Sequence, residues 1–383
     1  MLSSGIKFNP FKFYQTTKNL KTRLEKLINS KSQVLNSLDK SYKFSYDKKK
    51  ILRFKKNKNF RVIGMGGSIL GTQAIHDFLK HKIKKKFIFI DNLKSAQKKE
   101  TKTFTNIVVS KSGNTIETIV NANLLIKKSD QNIFITENKP NYLNILAKKL
   151  KSEIIHHNNY IGGRYSVLSE VGMLPAELMG LNSNNFRNLN NLIKNKYFFK
   201  NLISNVGAIL HLSQKKKFNS IIINYDKESE NIFNWYQQLV AESLGKAGKG
   251  ILPIVSTMPR DNHSVMQLYL DGFNNNFYTF FYVSGDKSSS IKNSDILSSK
   301  NYLKNKNLNN VIFSQKEATE NVFRKKNIPF RSFEIKKRDE KTLGELFCFF
   351  ILETILIGKA LNINPFDQPA VELIKKETKK LLT

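Results

Sequence analysis

From residue 59 onward, short runs of β-branched and aromatic residues alternate with longer stretches whose apolar positions recur at helical spacing. Strands are predicted at 61–63, 86–91, 106–110 and 132–136, with helices over 69–80 and 117–128 between them. Short buried strands alternating with helices of roughly 10–14 residues specify a mainly parallel sheet covered on both faces. The middle stretch, 158–195, reads as loop-rich, and then the pattern restarts. Strands are predicted at 220–224, 251–256 and 277–283, with helices over 232–243 and 263–271. Residues 284–301, rich in Ser, Lys and Asn, read as a surface loop, and the chain ends with an apolar helix over 343–361 and an amphipathic one from about 370 to 382. The expected fold class is therefore α/β, with a first domain at 56–180 and a second at 181–383 that carries the C-terminal helices. Residues 1–55, polar and lysine-rich with one helix over 16–28, read as an N-terminal arm.

Composition narrows the function. The 383 residues form one large or two medium domains, long enough to bury a core with no disulfide or metal. Hydrophobic residues at 40% exclude a disordered or low-complexity chain. A single cysteine, Cys348, excludes a disulfide framework and fits a reducing compartment. No apolar run is long enough to span a bilayer and the first residues lack a signal-peptide core, so the expected location is cytoplasmic.

A formal charge of +34 invites a nucleic-acid or anionic-membrane reading. Only nine of the 64 basic residues are arginine, however, and the lysines are scattered among Asn and Ile. Arginine is the residue that grips phosphates and guanines through two parallel bonds. No zinc-finger spacing, RNA-binding signature or basic zipper occurs, so a solvated lysine surface is the expectation, with no specific nucleic acid and no membrane as partner. Small anionic substrates are still attracted.

Three short segments carry candidate chemistry. Gly64-Met65-Gly66-Gly67-Ser68 follows a strand and opens a helix, where closely spaced glycines and free helix N–H groups favour a phosphate. It is neither G-x-G-x-x-G nor a P-loop, which weakens dinucleotide and nucleotide readings. Ser110-Lys111-Ser112-Gly113-Asn114-Thr115 lies at an equivalent strand-to-helix turn with three hydroxyls and a lysine. A helix cap at Asn114, closed by Glu117, is an alternative that needs no ligand, although it leaves Ser110, Lys111, Ser112 and Thr115 unexplained. Gly162-Gly163-Arg164-Tyr165-Ser166 places a scarce arginine beside two glycines, either against a ligand oxygen or paired to a carboxylate in a turn. Glu242 shares a helix face with Gln238, and an ordinary ion pair with Lys246 four residues on is the competing interpretation. His263 is as readily a capping or packing residue as a proton carrier. His156 and His157 are adjacent and would point to opposite faces of a strand, so no metal site is expected.

In order along the chain, the segments IGMGGSILG, VVSKSGNTIET, GGRYSVLSEVG, QQLVAESLGKAGKG, DNHSVMQLYLDG and FDQPAVELIKK resemble the glucose-6-phosphate isomerase family. The resemblance implies two sugar-isomerase (SIS) domains and aldose–ketose isomerisation of glucose and fructose 6-phosphates through a cis-enediol. It implies that Ser68, Ser110, Lys111, Ser112 and Thr115 hold the sugar phosphate, with Gly67 shaping the loop. Glu242 would move a proton between C2 and C1, and Arg164, beside Gly163, would be the cation next to the enediolate. His263 and Lys375 would open the sugar ring, and Gln238 and Gln368 would bind substrate. No cofactor or metal is implied. A homodimer is implied, with His263 donated across the interface. The chain is shorter than typical bacterial members, Ser112 stands where threonine is frequent, and Pro369-Ala370 where Trp-Gly is common. A dual phosphoglucose/phosphomannose isomerase and a sugar-phosphate-binding SIS protein without turnover are the alternatives.

Overall fold

Two five-stranded sheets, each flanked by helices, make up the computed structural model, which describes residues 2–12, 18–30, 32–94, 102–285, 288–292 and 300–383. The strands are β1 (Ile6–Asn9), β2 (Asn59–Gly64), β3 (Lys86–Ile90), β4 (Thr105–Val109), β5 (Gln131–Thr136), β6 (Glu153–His156), β7 (Asn219–Asn224), β8 (Leu252–Thr257), β9 (Asn276–Val283) and β10 (Phe330–Ile335). The first sheet runs β3-β2-β4-β5-β6 and is parallel throughout. The second runs β1-β10-β9-β7-β8 and is parallel except for β1, which adds antiparallel to β10. Strands buried on both faces must be apolar along their whole length. The runs Ile221–Ile223 and Ile107–Val109 meet that demand with relative exposures of 1% or less.

Residues 1–55, expected to form an arm, contribute to the core instead. Ile6 and Phe8 on β1, with Leu24 and Leu27 on the helix Lys18–Asn29, are buried in the main hydrophobic cluster. Residues 13–17, which include the expected start of that helix, lie outside the described residues, as do 286–287 and 293–299 of the expected loop 284–301. The stretch 158–195 is not loop-rich. It holds a 3-10 turn at Gly163–Leu168 and the helix Glu170–Met179, all ten residues of which are buried. The helices Lys196–Gln214 and Leu308–Lys325 and the strands β6 and β10 add to the expected set. The helix expected over 263–271 is shorter, at Met266–Asp271, because Arg260–His263 forms a separate 3-10 turn.

The apolar helix Glu340–Ala360 runs through the middle of the molecule. Its Phe347 packs edge-on against Trp235 of the helix Glu230–Leu244 with ring centroids 4.8 Å apart. Its one fully buried ion pair, Glu353 with Arg331 of β10, is completed by Asn205 and the Tyr236 hydroxyl. No helix among the described residues is long and apolar enough to cross a membrane.

Candidate active site

In a doubly wound sheet, ligands gather where strand order reverses, beyond the carboxyl ends of the strands. In the first sheet that point lies between β2 and β4, because β3 and β4 flank β2 on opposite sides. Gly64 at the end of β2 is in register with Val109 at the end of β4. The two glycine- and serine-rich turns, 65–68 and 110–115, therefore leave the sheet side by side.

Each turn opens a helix that lacks a side-chain cap. The helix Leu70–Phe78 starts after the 3-10 turn Gly66–Ser68, and Ile69 at its boundary has nothing to offer its amides. The helix Ile116–Leu125 has Thr115 as its boundary residue, again with no capping bond. The cap expected at Asn114, with Glu117 completing a box, does not form. Asn114 Oδ1 accepts instead from the Tyr142 backbone N–H at 3.1 Å. Ser110 Oγ and Thr115 Oγ1 lie 2.9 Å apart, and Ser110 Oγ also accepts from the Gly113 N–H at 3.2 Å. Ser112 Oγ accepts from the Asn114 N–H at 3.3 Å. Free helix N–H groups ringed by hydroxyls stabilise an anion. Lys111 donates to Asn159 O at 2.8 Å and pairs with Glu137 at 3.4 Å.

The turn at 65–68 touches the two other candidate elements. Gly66 has a left-handed φ of +53°, and a Cβ there would lie 2.8 Å from Gln238 Nε2. A Cβ on Gly67 would lie 2.2 Å from the Gly163 carbonyl carbon and 2.4 Å from Arg164 N, so only glycine fits this backbone-to-backbone contact. Arg164, 2% exposed, is held from every side. Its Nε donates to Ser243 Oγ at 2.8 Å, Nη1 to Gln368 Oε1 at 2.8 Å, and Nη2 to the carbonyls of Pro365 at 2.7 Å and Asp367 at 3.1 Å. Nη1 also faces Glu242 Oε1 at 3.4 Å. The other carboxylate oxygen, Glu242 Oε2, accepts from Gln238 Nε2 at 3.0 Å. Gln238 Oε1 is buried with no hydrogen-bond partner among the described residues, an open acceptor beside the carboxylate.

Glu242, Arg164, Gln238, Gln368, Gly67 and Gly163 thus form one bonded or touching cluster, next to the turns that carry Ser68, Ser110, Ser112 and Thr115. The alternative partner for Glu242 is engaged elsewhere: Lys246 pairs with Asp367 at 3.1 Å and donates to Ser243 O and Asn364 O. Two candidates stay outside the cluster. His263 is exposed on its 3-10 turn, and its ring has no hydrogen-bond partner among the described residues. Lys375 lies on the exposed helix Val371–Leu382 and pairs with Glu372 at 2.6 Å. Of the two residues that hold the arginine, Tyr165 belongs to the glycine–arginine segment but has no role assigned to it there, and Ser243 has no signal in the sequence beyond its adjacency to Glu242.

The equivalent crevice of the second sheet lies between β7 and β9 and is built differently. Asp226, just past β7, is bonded to the buried Arg338 at 2.8 Å. A carboxylate stands there, where the first sheet offers hydroxyls and open amides. Adjacent His156 and His157 differ as alternation along an extended chain requires, one exposed and one buried. Burial pushes the His157 ring down to about 4. Among the described residues no three His, Cys, Asp or Glu side chains group as metal ligands.

Comparison with known proteins gives the same picture. The family model for phosphoglucose isomerase matches residues 28–256. A glucose-6-phosphate isomerase of Methanocaldococcus jannaschii is 32% identical over 372 residues, covering 92% of this chain and 90% of its own. One from Campylobacter jejuni is 30% identical over 91% of this chain and 89% of its own. Among solved structures, a hypothetical protein from Thermus thermophilus shares the fold with a TM-score of 0.82 at 22% identity, covering 96% of this chain and 94% of that one. A glucose-6-phosphate isomerase from Chlamydia trachomatis does so at 0.73 and 16%, over 95% and 83% of the two chains. With most of its length aligned to these relatives and the family model spanning more than half of it, the chain belongs to the phosphoglucose isomerase family.

Proposed function

We propose that this protein interconverts D-glucose 6-phosphate and D-fructose 6-phosphate as a glucose-6-phosphate isomerase, with no cofactor. The observation that carries the reading is the Glu242 carboxylate held between the Gln238 amide and the Arg164 guanidinium, beside two uncapped helix starts lined with hydroxyls. The phosphate rests on Ser68, Ser110, Ser112 and Thr115, with Lys111 adding charge to that loop, and this remote grip aligns the reacting carbons. Glu242 removes the proton from C2 of the open aldose as O1 gains one, which gives the cis-enediol(ate). Returning the proton to C1, with loss of the O2 proton, gives the ketose. Arg164 stabilises the negative oxygen that forms on the way, as preorganised cations do. Gln368 and the open Oε1 of Gln238 receive substrate hydroxyls.

His263 and Lys375 open the sugar ring in this proposal, with His263 supplied by the second subunit of a homodimer. Exposed apolar residues near each of them in sequence, Leu268 on the helix that follows His263 and Leu373 and Ile374 just before Lys375, support a covered surface in the assembly. The enzyme works in the cytoplasm. The test is to supply fructose 6-phosphate and follow product with a glucose-6-phosphate dehydrogenase couple, running mannose 6-phosphate in parallel for the dual-specificity alternative. Glu242→Gln should lower kcat by about 10²–10⁴-fold, the contribution of a general base, and abolish exchange of the C2 proton with solvent while binding persists. Undiminished exchange in that variant removes Glu242 from the mechanism, and binding without turnover in the wild type favours a non-catalytic protein.

A further inference from the structure

The Arg164 guanidinium is fixed on the side away from Glu242 by a closed, buried ring of hydrogen bonds whose proton directions can be assigned. Pro365 O can only accept, so the Tyr165 hydroxyl, 2.9 Å away, donates its single proton there. Ser243 Oγ lies 2.8 Å from the Tyr165 oxygen and must therefore donate to it. That leaves the Ser243 lone pairs to accept from Arg164 Nε–H at 2.8 Å. Arg164 Nη2 closes the ring on the same Pro365 carbonyl at 2.7 Å. Tyr165 and Ser243 are fully buried, so water does not compete. Ser243 lies in the last turn of the helix Glu230–Leu244, and its buried hydroxyl bonds to Arg164 and Tyr165 instead of back to its own helix. With Nε and Nη2 held in the ring, Nη1, which donates to Gln368 Oε1, is the end that faces Glu242.

We propose that Ser243 and Tyr165 are positioning residues for the isomerisation: they fix the rotation of the Arg164 guanidinium so that Nη1 meets the developing oxyanion, and they tie the 364–368 loop that carries Gln368 to the base helix. This rests on the isomerase reading above. It predicts a loss confined to the chemical step, because the phosphate grip is built from other segments.

The test uses Ser243→Ala and Tyr165→Phe in the full chain. Each should lower kcat by about 10–100-fold, the scale of a misplacement near 1 Å, while the Ki of inorganic phosphate stays within about twofold of wild type, because the phosphate grip is built from other segments. The double variant should be no worse than the worse single one, because both act through Arg164. In an Arg164→Ala background, Ser243→Ala should cost nothing further; with Arg164 present, Ser243→Thr, which keeps the hydroxyl, should retain more kcat than Ser243→Ala. Independently of turnover, amide hydrogen exchange across 364–368 should quicken in Ser243→Ala. A wild type that turns over neither hexose phosphate sinks the isomerase reading alone, and the exchange measurement then decides the ring. Unchanged exchange, or an active wild type whose Ser243→Ala keeps full kcat, overturns the inference. So does a loss seen in KM only, or one that adds to that of Arg164→Ala.

Discussion

Replacing Gly67 by alanine tests the contact on which the site is built. The added Cβ would lie 2.2 Å from the Gly163 carbonyl carbon, 2.4 Å from Arg164 N and 2.5 Å from Gly163 O. Carbon atoms rest at about 3.5–4.0 Å, so the deficit exceeds about 1 Å, and every clashing atom is backbone that no rotamer change can move aside. Either the 66–68 turn or the Gly163–Arg164 segment has to retreat. Overpacking of this kind costs about 1–3 kcal/mol, which lowers Tm by several degrees. Moving Arg164 by about 1 Å costs on the order of 10²-fold in kcat/KM. Gly163→Ala is the matched control, because a Cβ there meets nothing nearer than Gly67 Cα at 3.8 Å, an ordinary contact. Tm by circular dichroism should fall for Gly67→Ala and stay within about 1–2 °C of wild type for Gly163→Ala. The coupled assay reads Gly67→Ala for activity. Full kcat/KM in Gly67→Ala, or equal destabilisation by the two variants, would refute the packing logic.

Two other outcomes follow from buried groups. Burial holds His157 at about 4, below its ordinary 6.5, so the unfolded chain takes up the proton first as pH falls. Its stability contribution is intact above about pH 6.5 and declines by about 2 kcal/mol at pH 5 and about 3 kcal/mol at pH 4. Urea titrations should show His157→Gln with a flatter acid limb than wild type, and parallel limbs would exclude this residue as the cause. Arg331→Leu leaves the Glu353 carboxylate buried without its cation and should cost about 3–5 kcal/mol in chemical denaturation. Adding Glu353→Leu should recover much of that loss, and a double variant as unstable as the single one contradicts the charge-burial explanation.

What the sequence makes legible depends on how each segment is solvated. The central strands carry apolar runs buried on both faces and stand out, as Ile221–Ile223 and Ile107–Val109 do. The helix Glu170–Met179 does not, because burial on all sides removes the polar face that reveals helical period, and Gly172 and Pro175 read as breakers. β10 hides for the opposite reason: Arg331 and Ser332 are buried polar residues whose partners, Glu353 and Glu320, are remote in sequence. β1 has only four residues, alternately buried and exposed, inside a lysine-rich stretch. At the site, the glycine turns announce themselves through composition and position, whereas Glu242 does not. Its competing partner Lys246 sits at ideal helical spacing, and only the three-dimensional position of Asp367 shows that Lys246 is occupied. The roles given to Glu242, His263 and Lys375 came from family resemblance, since spacing alone could not separate them from surface residues.

The pairing of β1 with β10 has a consequence for how the chain is made. Ile6 sits opposite Ile335, so β1 leaves the ribosome and waits for a partner synthesised more than 300 residues later. At about 5–20 residues per second, that wait lasts roughly 15–65 s. Throughout it the first domain can assemble, while the second still lacks its edge and exposes Phe8 and its neighbours to any passing strand or chaperone. Because Phe8 then packs against both Phe333 and Phe349, docking of β1 is the step that seals the C-terminal half, and shortening the chain from its front should harm the part farthest from it in sequence.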